Sequence, residues 1–163
     1  MSCSFFRWVP LLLLFMLTGC SVLSPYSTQT RLRISLSADS QLNPDVNGRP
    51  SPVVLKLLEL KRPVTAENMD FFSLYLRTDH ALARDLVASE EFELRPGESM
   101  ELKLKLEEGS RYFGVLVAYR NLSQARWRHV IQVVPRQHNR AVFVLDESGI
   151  SRADDQADTG NPA

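Results

Sequence analysis

Alternating apolar and polar residues dominate the middle of the chain. The segments "TRLRISLS" (30–37) and "SMELKLKLE" (99–107) carry leucine, isoleucine or methionine at every second position, with charged or small polar residues between them. This period of two is typical of a strand that buries one face and exposes the other. "YFGVLVAYR" (112–120) is apolar on both faces and predicts a central strand, and "RWRHVIQVV" and "RAVFVLD" predict two more. The pattern predicts a mainly β fold, arranged as a β-sandwich.

Two segments depart from simple alternation. In "VVLKLLELK" (53–61) the apolar positions change from one face to the other after Leu57. A β-bulge near Leu57 would explain this change of phase, and a short helix is the alternative. Pro96-Gly97 is a pair that favours a tight turn, so "EFELRPGESMELKLKLE" (91–107) predicts a β-hairpin.

The segment from Thr65 to Ala88 has helical spacing instead. Its apolar positions are Met69, Phe72, Leu76, Leu82 and Leu86. Asn68 and Asp79 are suitable N-caps. We therefore predict two short helices inserted between strands of the sandwich.

The N-terminus predicts export and lipidation. The apolar run from Trp8 to Leu17 is about half the length of roughly 20 residues that spans a bilayer, and Arg7 precedes it. This is typical of a signal peptide. The run ends in Leu17-Thr18-Gly19-Cys20, which resembles the lipobox of bacterial lipoprotein signals, and Ser21 after it resembles the pattern sorted to the outer membrane. Cys20 is the predicted lipidation site; an ordinary secretory signal is the alternative.

The predicted organisation is a signal peptide (1–19), a lipidated tether (20–29), one β-sandwich domain (30–150) and a disordered acidic tail (151–163). Of the 19 basic residues, Arg7 leaves with the signal peptide, so the mature chain carries 18 basic and 19 acidic residues, a net charge of −1. This balance predicts no general attraction to nucleic acid or to anionic lipid.

Candidate catalytic groups are scattered. The three histidines, His80, His129 and His138, have no second ligand at metal-binding spacing, and no nucleophile elbow or phosphate-binding glycine loop occurs. The sequence therefore predicts no catalytic, metal or cofactor site and no small-molecule substrate, and an enzyme is the least favoured reading.

Five short motifs in a fixed order resemble the TssJ family, the outer-membrane lipoproteins of the bacterial type VI secretion system. They are Asn43-Pro44-Asp45 through Gly48-Arg49-Pro50-Ser51-Pro52, Phe71-Phe72, Pro96-Gly97-Glu98, Gly114 through Arg120, and Trp127-Arg128. The resemblance covers about residues 30–145. It implies a transthyretin-like two-sheet β-sandwich with a small inserted helical element.

The resemblance also implies a role without catalysis or cofactor. TssJ proteins hold the periplasmic domain of TssM, which associates with TssL, and so tie the membrane complex to the outer membrane. The loop 38–52 would carry this contact. Its predicted partner-binding residues are Leu42, Asn43, Pro44, Asp45, Val46, Gly48 and Arg49. Asn43, Asp45 and Gly48 could instead only shape turns. The alternative function is a β-sandwich lipoprotein that binds glycan or peptidoglycan, or that assists envelope assembly.

Overall fold

A computed structural model describes residues 29–153, and the predicted signal peptide, Cys20 and most of the tether and tail lie outside this range. The strands are β1 (Thr30–Ala38), β2 (Val53–Leu60), β3 (Leu86–Leu94), β4 (Ser99–Leu106), β5 (Tyr112–Val117), β6 (Arg128–Gln132), β7 (His138–Asp146) and β8 (Gly149–Arg152). Three short helices lie between β2 and β3: α1 (Val64–Asn68), α2 (Phe71–Leu76) and α3 (Thr78–Ala81). The predicted two-sheet sandwich with a helical insertion is confirmed.

The strands form two four-stranded sheets that pack face to face. The first sheet has the order β4-β1-β7-β8, and the second has the order β3-β2-β5-β6. β1 pairs with β7 in parallel, whereas its pairing with β4 is antiparallel. Alternate residues of β1, namely Leu32, Ile34 and Leu36, point into the space between the sheets and meet Phe113, Val115 and Val117 of the central strand β5 in one apolar cluster.

β2 carries apolar residues on both faces, but the predicted bulge is not the reason. Leu55 and Leu57 belong to the core between the sheets, whereas Leu58 and Leu60 belong to a second cluster beneath the helices. The pairing of β2 with β5 runs without a break, so the bulge predicted near Leu57 is wrong. The only register shift in β2 pairing falls at Glu59/Leu60, opposite β3. β2 is apolar on both faces because both faces are covered.

The predicted hairpin at Pro96-Gly97 is also wrong. The turn is present, and Gly97 adopts a positive φ of 75°. However, β3 before it pairs with β2, and β4 after it pairs with β1 in the other sheet. The turn therefore crosses from one sheet to the other, because long-range pairing partners rather than the turn decide where each strand docks.

The helical insertion differs from the prediction in number and in caps. The side chain of Asp70 accepts a hydrogen bond from the Ser73 N–H and caps α2, whereas Asn68 lies at the end of α1 and Asp79 lies within α3. Asn68 fails as a cap because its amide donates backwards to the Val64 carbonyl.

Two cations from the sheet fasten these helices. Lys56 Nζ donates to the Tyr75 carbonyl at the end of α2 (2.8 Å), and an Arg128 guanidinium nitrogen donates to the Met69 carbonyl after α1 (2.6 Å). Positive charge is favourable at these ends because unpaired carbonyls give a helix C-terminus a partial negative charge. The Arg128 guanidinium also lies over the Trp127 ring, 4.5 Å from its centre.

The sandwich ends later than predicted. Ser151 and Arg152 belong to β8, and Ser151 is buried. The predicted tail therefore cannot begin at 151, because β8 pairs with β7 through Arg152. Residues 154–163 lie outside the described range.

The connections gather at the two ends of the sandwich. At one end, which we call the loop end, lie 39–52, 95–98, 118–127 and 147–148. Hydrogen bonds join them, from the Gly97 N–H to Asp39 and from the Arg126 N–H to Ser148. β1 begins at the opposite end, where Thr30 pairs with Leu106. Nine residues of strand separate the two ends of β1, about 30 Å.

Candidate functional site

The first inter-strand loop, 39–52, is fixed to the sandwich by Asn43. This residue is 4% exposed and adopts a positive φ of 49°. Its amide donates to the Pro52 carbonyl (3.0 Å), and its side-chain oxygen accepts from the Arg120 N–H (2.8 Å). Asparagine tolerates this left-handed conformation better than most residues. Asn43 therefore holds both ends of the loop against the segment that follows β5.

Asp45 organises the outer half of the loop. One carboxylate oxygen accepts from the N–H groups of Asn47 (2.8 Å) and Arg49 (3.0 Å), and the other accepts from the Arg49 guanidinium at 2.9 Å. The Gly48 N–H donates to the Asp45 carbonyl, and Gly48 has a φ of 76°. The backbone hydrogen bond from Arg49, the largest cause, lowers the pKa of Asp45 below its ordinary value.

The structure divides the seven predicted partner-binding residues into two groups. Leu42 is completely buried in the core and Asn43 is buried, so the prediction that the Leu42 side chain contacts a partner is wrong. Val46 is fully exposed, with Gly48 and Arg49 also exposed and Pro44 and Asp45 half-buried. Arg49 is partly used inside the loop by its ion pair with Asp45 (2.8 Å). The surface available to a partner is therefore centred on Val46.

The loop forms one wall of an open groove of about 890 Å³ at the loop end. The other walls come from the segment after β5 and from the β7–β8 turn, and they were not predicted. Their residues are Tyr119, Arg120, Asn121, Gln124, Ala125, Glu147 and Ser148. The signal for them in the sequence is weak, a run of polar residues between two predicted strands. Their meeting depends on the Arg126–Gly149 bridge, which joins segments distant in sequence.

The groove offers hydrogen bonding and charge of both signs. Arg49 and Arg120 face a site that also contains Glu147. Tyr119 is the aromatic residue among the groove residues, and it is 5% exposed. Its buried hydroxyl has no hydrogen-bond partner within residues 29–153, and burial raises its pKa. A mixed polar surface around one exposed valine suits a peptide chain, which presents both backbone polar groups and apolar side chains.

The described part of the chain contains no cluster of side chains that could bind a metal ion. Within residues 29–153, no group of three or more histidine, cysteine, aspartate or glutamate side chains could hold a metal ion. His80 lies on α3, His129 on β6 and His138 at the start of β7.

Comparison with known families identifies the fold's relatives. Residues 30–148 match the family model T6SS-SciN, described as type VI secretion lipoprotein and covering VasD, EvfM and TssJ. The chain belongs to this TssJ family. The resemblance inferred from the sequence motifs is thereby confirmed.

Solved structures agree with membership of the TssJ family. The lipoprotein TssJ1 from Pseudomonas aeruginosa is 34% identical, with a TM-score of 0.74 over 83% of this chain and 98% of that one. Lip from Serratia marcescens, a membrane-bound component of the type VI secretion system, is 26% identical, with a TM-score of 0.71 over 76% and 97%. A chain of a type VI membrane complex shares the fold at 21% identity, with a TM-score of 0.67 over the same shares. No curated protein sequence matches the chain.

Proposed function

We propose that this TssJ family member is an outer-membrane lipoprotein whose sandwich domain faces the periplasm and binds the periplasmic domain of TssM. Through TssM it would tie the membrane complex, including TssL, to the outer membrane, in a binding role without catalysis or cofactor. Family membership supports the assignment to type VI secretion. The observation that carries the binding site is Val46, a fully exposed apolar side chain on a loop held by internal hydrogen bonds.

The arrangement of the two ends supports this orientation. Thr30, the first strand residue after the tether, lies opposite the loop end, because β1 runs from one to the other. A chain anchored at Cys20 would thus present the groove away from the membrane. Preorganisation of the loop reduces the entropy lost on binding. Within residues 29–153, no helix is long and apolar enough to cross a bilayer.

Changing Val46 to Asp should weaken binding of the TssM periplasmic domain at least about tenfold, because an exposed apolar anchor would become a charge that must be desolvated. The affinity is measured by isothermal titration. Val64→Asp is the matched control, since Val64 is also exposed but lies on α1. If Val46→Asp and the unaltered chain bound TssM with equal affinity, the loop would not be part of the interface. Weakening by Val64→Asp alone would move the interface to the helices.

The lipid anchor has a separate test. Cys20→Ser should abolish lipidation and processing after Gly19, because the thiol is the group that receives the lipid. Mass spectrometry of the N-terminal peptide and membrane fractionation measure both effects. An unlipidated protein that still fractionates normally with the outer membrane would refute the anchor, whatever the TssM titration shows.

A further inference from the structure

The outer face of the first sheet carries a concentration of positive charge. At the end where β1 begins, Arg31 pairs across the strands with Lys105 of β4 and His138 of β7, and Arg33 pairs with Lys103 and Arg140. All six side chains belong to exposed residues. Residues at paired positions share a face. We call this set, Arg31, Arg33, Lys103, Lys105, His138 and Arg140, the basic face.

Little of this charge is neutralised locally. Glu101 is the acidic side chain in contact with the basic face, 3.8 Å from Arg33 and 3.6 Å from Lys103. Five arginine or lysine side chains and one carboxylate leave a local charge of about +4. Glu107 lies two residues beyond Lys105 and is exposed, but no ion pair joins it to the basic face within residues 29–153. The near-zero charge of the whole chain therefore conceals an uneven distribution.

No element of the described structure covers the basic face, and its residues line an open depression of about 390 Å³. The helices pack over the other sheet, against Leu58, Leu60 and Leu116. Toward the loop end the same face of the first sheet continues with Ser35, which pairs with Glu101, and with Ser37, which pairs with Ser99. Strands lie about 4.8 Å apart, so the charges of three neighbouring strands extend over about 10 Å. An open surface of this width can meet several anions of a layer at once, whereas a single buried ligand would need an enclosed pocket.

The position of the basic face in the fold indicates which layer of anions it would meet. Arg31 is the second residue of β1, immediately after the tether. Residues 20–29 can span at most about 35 Å when extended and much less as a flexible chain, so a lipid at Cys20 would keep this end near the bilayer. This step rests on the lipid anchor proposed above.

We propose that the basic face binds the phosphate headgroups of an anionic lipid bilayer. The contact would tilt the domain so that the basic face, near the start of β1, meets the membrane, while the loop end, about 30 Å away along β1, stays free for its partner. Net charge alone predicts no general attraction to anionic lipid, and the proposal departs from that prediction because the positive charge is concentrated on one face. Basic residues near an anionic surface each strengthen binding about fivefold, and salt weakens the attraction.

Vesicle sedimentation tests the proposal on a protein that lacks its own lipid anchor, and TssM is not present. The probe is the mature chain 20–163 carrying Cys20→Ser, mixed with vesicles of phosphatidylcholine alone or with phosphatidylglycerol. This chain retains its core, because both apolar clusters lie within residues 32–150. We expect binding to phosphatidylglycerol vesicles that falls as salt rises, and little binding to phosphatidylcholine. The triple variant Arg31→Gln, Lys105→Gln and Arg140→Gln should bind about a hundredfold more weakly.

The control variant removes the same charge elsewhere. Lys61→Gln, Arg77→Gln and Arg84→Gln neutralise three exposed cations in the segment between β2 and β3 and should bind nearly as well as the parent chain. Circular dichroism confirms that both variants fold. Equal losses in the two variants, or equal binding to both kinds of vesicle, would overturn the proposal. Preferential retention by purified peptidoglycan would also overturn it and would assign the basic face to an acidic glycan. None of these results depends on the TssM titration or on lipidation.

Discussion

Gly149→Ala should destabilise the protein by more than about 3 kcal/mol, because this glycine has neither the space nor the conformation for a side chain. An added Cβ would overlap the backbone nitrogen and oxygen of Arg126, and the φ of Gly149 is 127°. Backbone atoms cannot move aside as the end of a flexible side chain can. The measurement is the free energy of unfolding from denaturant titration.

The clash would also open the loop end. The Arg126 N–H donates to the Ser148 carbonyl, and the Ile150 N–H donates to the Arg126 carbonyl. These bonds hold two walls of the groove together. We therefore expect Gly149→Ala to weaken TssM binding at temperatures where the chain is still folded.

Gly97→Ala is the matched control. Gly97 also has a positive φ, 75°, but nothing lies within 4 Å of the position of its Cβ. Only the conformational strain remains, which costs about 1 kcal/mol. If both variants lost the same stability, the close approach to Arg126 would have no energetic role.

Local alternation was enough to find β1 and β4. In these strands, leucine, isoleucine or methionine at every second position matches the more buried face, because the pleat repeats every two residues. Pairing between strands could not be found in this way. Pro96-Gly97 makes a turn in a hairpin and in a crossover between sheets alike, and only the fit of β4 against β1 decides between them.

The candidate site was predicted less completely than the fold. The loop 38–52 could be recognised by its length and prolines, but burial of Leu42 depends on residues far along the chain. The same holds for the groove walls at Arg120 and Glu147, which meet the loop only after the strands have paired. Val46 and Leu42 look equivalent in sequence, yet one is fully exposed and the other fully buried.

Asn43→Ala should cost about 3 kcal/mol of stability, and Asn43→Gly about 2 kcal/mol. Both variants leave the Arg120 N–H and the Pro52 carbonyl without their side-chain partner, and a buried polar group left unpaired costs about 1–3 kcal/mol. In the left-handed conformation alanine destabilises the protein by about 1 kcal/mol more than glycine does. The difference between the two variants in denaturant titration therefore isolates the backbone strain.

The same pair of variants decides how Asn43 contributes to TssM binding. Because its side chain is buried and bonded inside the molecule, we expect it to act by holding the loop, not by touching the partner. Loss of affinity should then accompany loss of stability, by about threefold to tenfold, since loop ordering would have to be recovered on binding. The Val46→Asp variant should show the opposite behaviour, with weaker binding at unchanged stability, because Val46 is fully exposed. An Asn43→Gly protein as stable as the parent chain that no longer bound TssM would contradict this account and would make Asn43 a direct contact residue.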